Sequence, residues 1–240
     1  MSAVKRQAQA LPTRRERAKA THWRIIKAAY EAFCERGYAG TTMASVAERA
    51  GVAVQTVYFV FHTKAELLSR AYDFAVMGDG ERRIPEEQAW YQEMAAEPDV
   101  TAALRHVMSG VGDIIRRVTP LYVVARANTE SDEEIARIQT FHETWRADGY
   151  RAMLEILRKK APLRRGLSPE RANHLLLLYA GPDVYHVLVD VYRWTHDDWA
   201  EWAVVTVADQ VFGRSEQDDV PGPADRAGRR REPKGSGGAD

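Results

Sequence analysis

The chain has 240 residues, 45% of them hydrophobic and 28% charged, enough to build a sizeable core in one or two domains. Its formal net charge is zero, yet residues 1–64 hold eleven Lys and Arg against four acids, a net +7, which leaves −7 for the remainder; a basic end of this kind orients toward a polyanion. A single cysteine, Cys34, excludes an internal disulfide framework, and the longest apolar run, Leu175 to Pro182, is too short for a bilayer, so a cytoplasmic protein without membrane contact is expected.

Residues 1–18 are polar and basic, without periodicity, and contain Pro12. They read as a flexible arm whose Arg14, Arg15 and Arg17 would follow phosphates or enter a minor groove, or as a start with no role. From about Lys19 to Arg36, Ile26, Ala29, Tyr30 and Phe33 recur at helical spacing, and Gly37 closes the helix. Cys34, beside Phe33, reads as a small buried hydrophobe. Thr42 then caps a short helix with Val46, Ala47 and Ala50 on its inward face. Gly51 supplies the positive φ of a tight turn, and Val57, Val60 and Phe61 face inward from a second short helix. Two short helices crossing steeply need a small residue at the crossing, and Ala47 supplies it. The spacing predicts a helix-turn-helix, although alanine-rich helix pairs separated by glycine also arise without that role. Thr63-Lys64-Ala65-Glu66 is a capping box that opens the next helix, with Leu67, Leu68, Ala71, Tyr72 and Ala75 along one side. Lys64 in its first turn opposes the helix dipole and points to an anionic partner, the alternative being a solvated lysine. Gly78 to Pro85, GDGERRIP, is the proposed domain boundary.

From Ile25 to Leu68 the chain carries Ala28-Ala29, Phe33, Gly37-Tyr38, Thr41-Thr42, Val46-Ala47, Ala50-Gly51-Val52, Thr56-Val57-Tyr58, Phe61, Lys64 and Leu67-Leu68. In these residues it resembles the amino-terminal domain of the tetracycline-repressor (TetR) family. The resemblance implies an all-helical homodimer with a carboxy-terminal effector-binding and dimerisation domain, and double-stranded operator DNA and a small-molecule effector as partners. It also implies that Thr42 and Lys64 hold phosphates, that Gln55, Thr56 and Phe59 face base edges, and that Tyr58 meets the backbone or a base. The chain departs from many relatives in having Phe59 where a histidine is common and Val54-Gln55 ahead of Thr56. The recognition helix holds no arginine, so contacts to A·T pairs through Gln55, Thr56 and Phe59 are favoured over the Arg–guanine fork.

Further along, helices are predicted for Glu86 to Ala96, Val100 to Arg117 and Pro120 to Asn128. A long one follows from a Ser131-Asp132-Glu133-Glu134 capping box as far as Pro162. Met108, Tyr122, Phe141, Trp145, Tyr150 and Met153 are what an adaptable ligand pocket would use and equally what an ordinary core uses, so the pocket is implied only by the family resemblance. Ser168-Pro169-Glu170 starts a helix that is apolar all round and kinks near Leu178 because of Pro182, and Thr195 caps the last one. Their second apolar face, with Leu176, Tyr179, Val184, Val187, Leu188, Val191, Trp202 and Val205, would meet the same pair in a second subunit. Arg214 to Asp240, rich in Pro, Gly and charge, reads as a disordered tail.

The expected architecture is all-α: a flexible arm over 1–18, a helix-turn-helix DNA-binding domain over 19–63, a connecting helix and linker over 64–84, an effector and dimerisation domain over 85–213, and a tail. No cofactor, metal site or catalytic constellation is expected. His142-Glu143 lacks the second histidine of HExxH, and no GxSxG occurs. The expected function is a ligand-responsive DNA-binding regulator, a repressor. A DNA-binding dimer without effector and a helical enzyme stand as alternatives.

Overall fold

The computed structural model describes residues 13–78 and 85–213, and every regular element among them is helical. The first twelve residues of the expected arm, the Asp79 to Ile84 part of the boundary and the tail from Arg214 lie outside the described residues. The helices are α1 (Arg14–Gly40), α2 (Met43–Ala50), α3 (Val54–Val60), α4 (Lys64–Met77), α5 (Ala89–Ala96), α6 (Val100–Arg126), α7 (Glu133–Leu157), α8 (Pro169–Tyr179), α9 (Pro182–Tyr185) and α10 (His196–Val207). A short 3₁₀ turn, Pro85–Glu87, precedes α5. Single π-helical turns, His186–Val191 and Ala208–Phe212, extend α9 and α10.

The apolar residues form two cores. The first joins α1 to α4 with the carboxy-terminal half of α6 and the start of α7 through Phe33, Val46, Val57, Leu68, Leu121 and Ile135. The second joins α5, the first half of α6, the end of α7 and α8 to α10 through Met94, Leu104, Leu154, Leu176 and Trp199. Helix α6 therefore runs through both and fixes the small first unit on the larger second one. Polar ties reinforce the junction. The Tyr30 hydroxyl donates to Arg117 O at 3.0 Å, and Arg117 Nε donates to Ala75 O at 2.9 Å, placing a cation at the end of α4 where the helix dipole favours it.

Several local expectations are corrected. Helix α1 starts at Arg14 because Thr13 and Glu16 form a capping box, so Arg14, Arg15 and Arg17 lie on exposed helical turns and not on an unstructured arm. Helix α6 continues through Pro120, with Val118, Leu121 and Tyr122 buried on both sides of it. Packing of that length of apolar face outweighs the one amide that proline lacks. Asp132 rather than Ser131 caps α7, its carboxylate accepting from the amides of Glu134 and Ile135, and the helix ends at Leu157, before Pro162. Pro182 does not kink a continuous helix. Gly181 is extended (φ −112°, ψ 166°), α8 stops before it, and Pro182 opens α9 at the first helical position.

Candidate nucleic-acid interface

The local chemistry of α2 and α3 builds a helix-turn-helix. Thr42 accepts from the Ser45 amide at 3.0 Å while Ser45 Oγ accepts from the Thr42 amide at 3.1 Å, so two free donors of the first turn are satisfied reciprocally. Gly51 is left-handed (φ 65°, ψ 43°), and the Val52 amide returns to Ala47 O at 3.0 Å, which turns the chain sharply. Ala47 and Val57 are fully buried and Phe61 nearly so, which anchors α3 by one face. The other face is open. Phe59 is 83% exposed and Tyr58 53%; Gln55 is exposed and Thr56 half-buried. Two large aromatic rings directed into solvent from a seven-residue helix are costly unless something covers them.

Thr42 is exposed at the amino terminus of α2. Lys64 Nζ donates to Tyr38 O at 2.9 Å and lies 4.0 Å from the centre of the Tyr38 ring. Lys64 thus ties α4 to the α1–α2 turn with one of its three donors. Arg49 bonds the carboxylate of Glu35 and pairs with Glu31 at 3.5 Å, so this basic residue is spent on internal contacts. At the start of α4, Thr63 accepts from the Glu66 amide at 2.9 Å, but the Glu66 carboxylate reaches the His62 amide at 3.1 Å instead of the cap residue's own. Cys34 is half-buried, and burial pushes its thiol up to about 11, as expected of a packing residue.

In the second domain the six residues expected to line a pocket separate. Met108, Tyr122, Tyr150 and Met153 are buried, whereas Phe141 is 62% exposed and Trp145 50%, because they occupy the outer face of α7. The hydroxyls are committed: Tyr122 donates to Asp183 at 2.7 Å and accepts from Arg126 at 2.8 Å, and Tyr150 donates to Ala180 O at 2.5 Å. Sequence reading missed the polar residues on the inner face of α7, Gln139 and His142, which are 6% and 5% exposed. Their spacing from Ile135, four and then three residues, was the available signal. The His142 ring stacks on Tyr72 of α4 at 4.0 Å between centroids. Gln139 Nε2 donates to Glu143 at 2.9 Å, which fixes the amide orientation and leaves Gln139 Oε1 without a hydrogen-bond partner among the described residues. His142 Nε2 also lacks one and lies 4.0 Å from Asp73 Oδ1. Burial lowers the His142 imidazole to about 4, so it is neutral in ordinary conditions. A cleft of about 300 Å³ lies elsewhere, between α1, α4 and the end of α3, against His22, Trp23, Phe61 and Phe74, and none of the six expected residues lines it.

On α8 to α10, Val187, Val191 and Val205 are exposed, and Tyr179, Val184, Leu188 and Trp202 are half-buried around them. Leu176, expected in the same face, is 3% exposed and belongs to the chain's own core.

A helix-turn-helix with an exposed second helix, carried on a larger helical domain, has the geometry of a DNA-binding module joined to a second helical unit. Residues 25–71 match the family described as bacterial regulatory proteins, tetR family, so the chain carries that family's amino-terminal domain. The HTH-type transcriptional regulator TtgR of Pseudomonas putida is 46% identical over 59 residues, which cover 25% of this chain and 28% of that protein. The chain thus matches little more than a quarter of that relative's length. Across most of the chain the fold alone is shared. The crystal structure of NalD, the secondary repressor of the MexAB-OprM multidrug efflux pump in Pseudomonas aeruginosa, has a TM-score of 0.59 at 22% identity, covering 82% of this chain and 98% of that one. FadR from Bacillus subtilis, solved in complex with stearoyl-CoA, has a TM-score of 0.59 at 15% identity, covering 79% and 98%. Among the described residues no helix is long and apolar enough to cross a membrane.

Proposed function

We propose that the chain is a transcriptional repressor that binds a palindromic operator as a homodimer and is released by a small-molecule effector. The observation that carries the DNA reading is α3 itself. Its buried side is locked by Val57 and Phe61, while Gln55, Tyr58 and Phe59 face solvent at the end of the chain that holds the net +7. In this reading Gln55 reads adenine, Thr56 and Phe59 touch thymine methyls, Tyr58 meets the backbone or a base, and Thr42, Lys64, Arg14, Arg15 and Arg17 neutralise phosphates.

The apolar surface around Val187, Val191 and Val205 supports pairing through α8 to α10, which would place two recognition helices about one DNA turn or a multiple of it apart. The unpartnered Gln139 Oε1 and His142 Nε2 support an effector site beside Tyr72, because a buried polar atom without a bond costs about 1–3 kcal/mol that a ligand can recover. Tyr72 lies on α4, whose first residue is Lys64, so a ligand there acts on the helix that follows the recognition helix. Effector and operator then weaken each other's binding by the same factor.

The test is anisotropy of a fluorescent duplex of about 30 base pairs titrated with the full chain between about 50 and 200 mM salt. Binding that weakens steeply and log-linearly with salt is expected. No binding at the lowest salt would contradict the reading.

A further inference from the structure

The first turn of α7 lies against the edge of the first unit that carries Lys64. Glu134 Oε1 accepts from the Thr63 hydroxyl at 3.0 Å, and Asp132 Oδ2 accepts from the Tyr38 hydroxyl at 3.4 Å. These contacts join positions 71 and 94 residues apart, and both end on the immediate neighbourhood of Lys64, whose ammonium sits over the Tyr38 ring. Glu130 and Glu133 add two more acids to the same five-residue stretch, Glu130 to Glu134. The Tyr38 hydroxyl is pushed up to about 12, first by burial and then by Asp132, with Glu134 adding to it, which agrees with two carboxylates facing this edge. The amides of Glu134 and Ile135 hold the Asp132 carboxylate in place at the start of α7.

We infer that the acidic first turn of α7 is a built-in competitor of DNA phosphate at the Lys64 edge. This rests on the DNA-binding reading above. A phosphate that approaches Lys64 meets a field already occupied by Asp132 and Glu134. Each carboxylate weakens the attraction of the ammonium for the phosphate, and the hydroxyls of Thr63 and Tyr38, otherwise donors to phosphate oxygens, are directed at carboxylates. Bound DNA therefore favours an arrangement in which α7 stands away from this edge. The second domain holds the first in a weakened state by default, and any movement of α7 changes DNA affinity directly as well as through α4.

The experiment compares the full chain with Asp132→Asn, Glu134→Gln and the double variant. Asparagine keeps the α7 cap and glutamine keeps an acceptor for Thr63, so the fold is retained, as circular dichroism melting checks. Binding to a fluorescent random-sequence duplex of about 30 base pairs is followed as a function of salt. The double variant is expected to bind about three- to tenfold more tightly at low salt, and its log–log salt slope to steepen by about one as Lys64 engages a phosphate fully. Wild-type binding with unchanged or weaker binding by the variants overturns the inference and leaves the DNA reading intact, weaker binding meaning that the two acids brace the unit. Absence of binding by wild type and variants alike overturns both.

Discussion

In the proposed DNA reading, Phe59 and Lys64 divide two tasks between neighbouring helices. Phe59 projects 83% exposed from α3, and Lys64 is tied to Tyr38 at the start of α4. Gln55→Ala or Phe59→Ala should relax preference at one base pair and lower affinity for the selected site by about 1–3 kcal/mol, measured against a set of single-base site variants. Lys64→Ala should weaken binding to every sequence and flatten the salt dependence by about one unit. Equal losses on every sequence for all three variants would contradict that division. His142 gives a pH prediction. Burial depresses its imidazole to about 4, below the unfolded value of 6.5, so the folded chain binds fewer protons than the unfolded one between those values. Stability therefore falls as pH drops from about 6.5 toward 4, by up to about 3 kcal/mol, and His142→Phe should flatten that part of a melting-against-pH curve. At this scale the sequence displayed the residues that shape the helix-turn-helix well, because Thr42, Gly51 and Val57 obey local rules that tertiary context does not alter. Gln139 and His142 escaped it, since one helix face buried against Tyr72 is a property of how α4 and α7 meet.

Proline and glycine govern the helices, and here sequence and structure part most clearly. Pro120 predicts a break, but α6 is continuous because both core clusters grip it on either side. Since the rest of the helix is held by packing, Pro120→Ala should restore the missing amide bond to the carbonyl four residues earlier and raise stability by about 1–3 kcal/mol in chemical denaturation. Gly110 is the opposite case. A Cβ there would come within 2.2 Å of the Trp90 ring, so α5 can lie on α6 only because position 110 has no side chain. Gly110→Ala should cost about 1–3 kcal/mol through overpacking and lower the melting temperature, and an unchanged melt would show that α5 is not held as described. Caps were the most legible feature. Thr42, Ser168 and Thr195 cap as their sequence contexts indicate, whereas the Thr13–Glu16 box, the reach of Glu66 to His62 instead of Thr63 and the choice of Asp132 over Ser131 needed the observed backbone.

For the whole molecule, charge is separated between a basic end and an acidic remainder, and an apolar surface on α8 to α10 stays uncovered among the described residues. The chain, of 27.1 kDa, is expected to sediment at twice that mass, and Val187→Glu with Val191→Glu to return it to the single-chain mass without loss of helical signal. The exposure of those two valines was legible from apolar residues exceeding one helical stripe, while Leu176, expected on the same face, turned inward, because α8 lies between the core and the surface. Phe141 and Trp145 show the converse limit: residue type fitted a pocket or a core equally, the family resemblance alone implied a pocket, and the rotation of α7 placed them outside both. In the proposed function two copies of α3 read DNA in a fixed twofold arrangement. The decisive measurement is selection of bound duplexes from a random pool by the full chain. Recovery of an inverted repeat with half-sites about one helical turn or a multiple apart is predicted. A pool that stays random after repeated rounds, or that converges on a single asymmetric half-site, would contradict it.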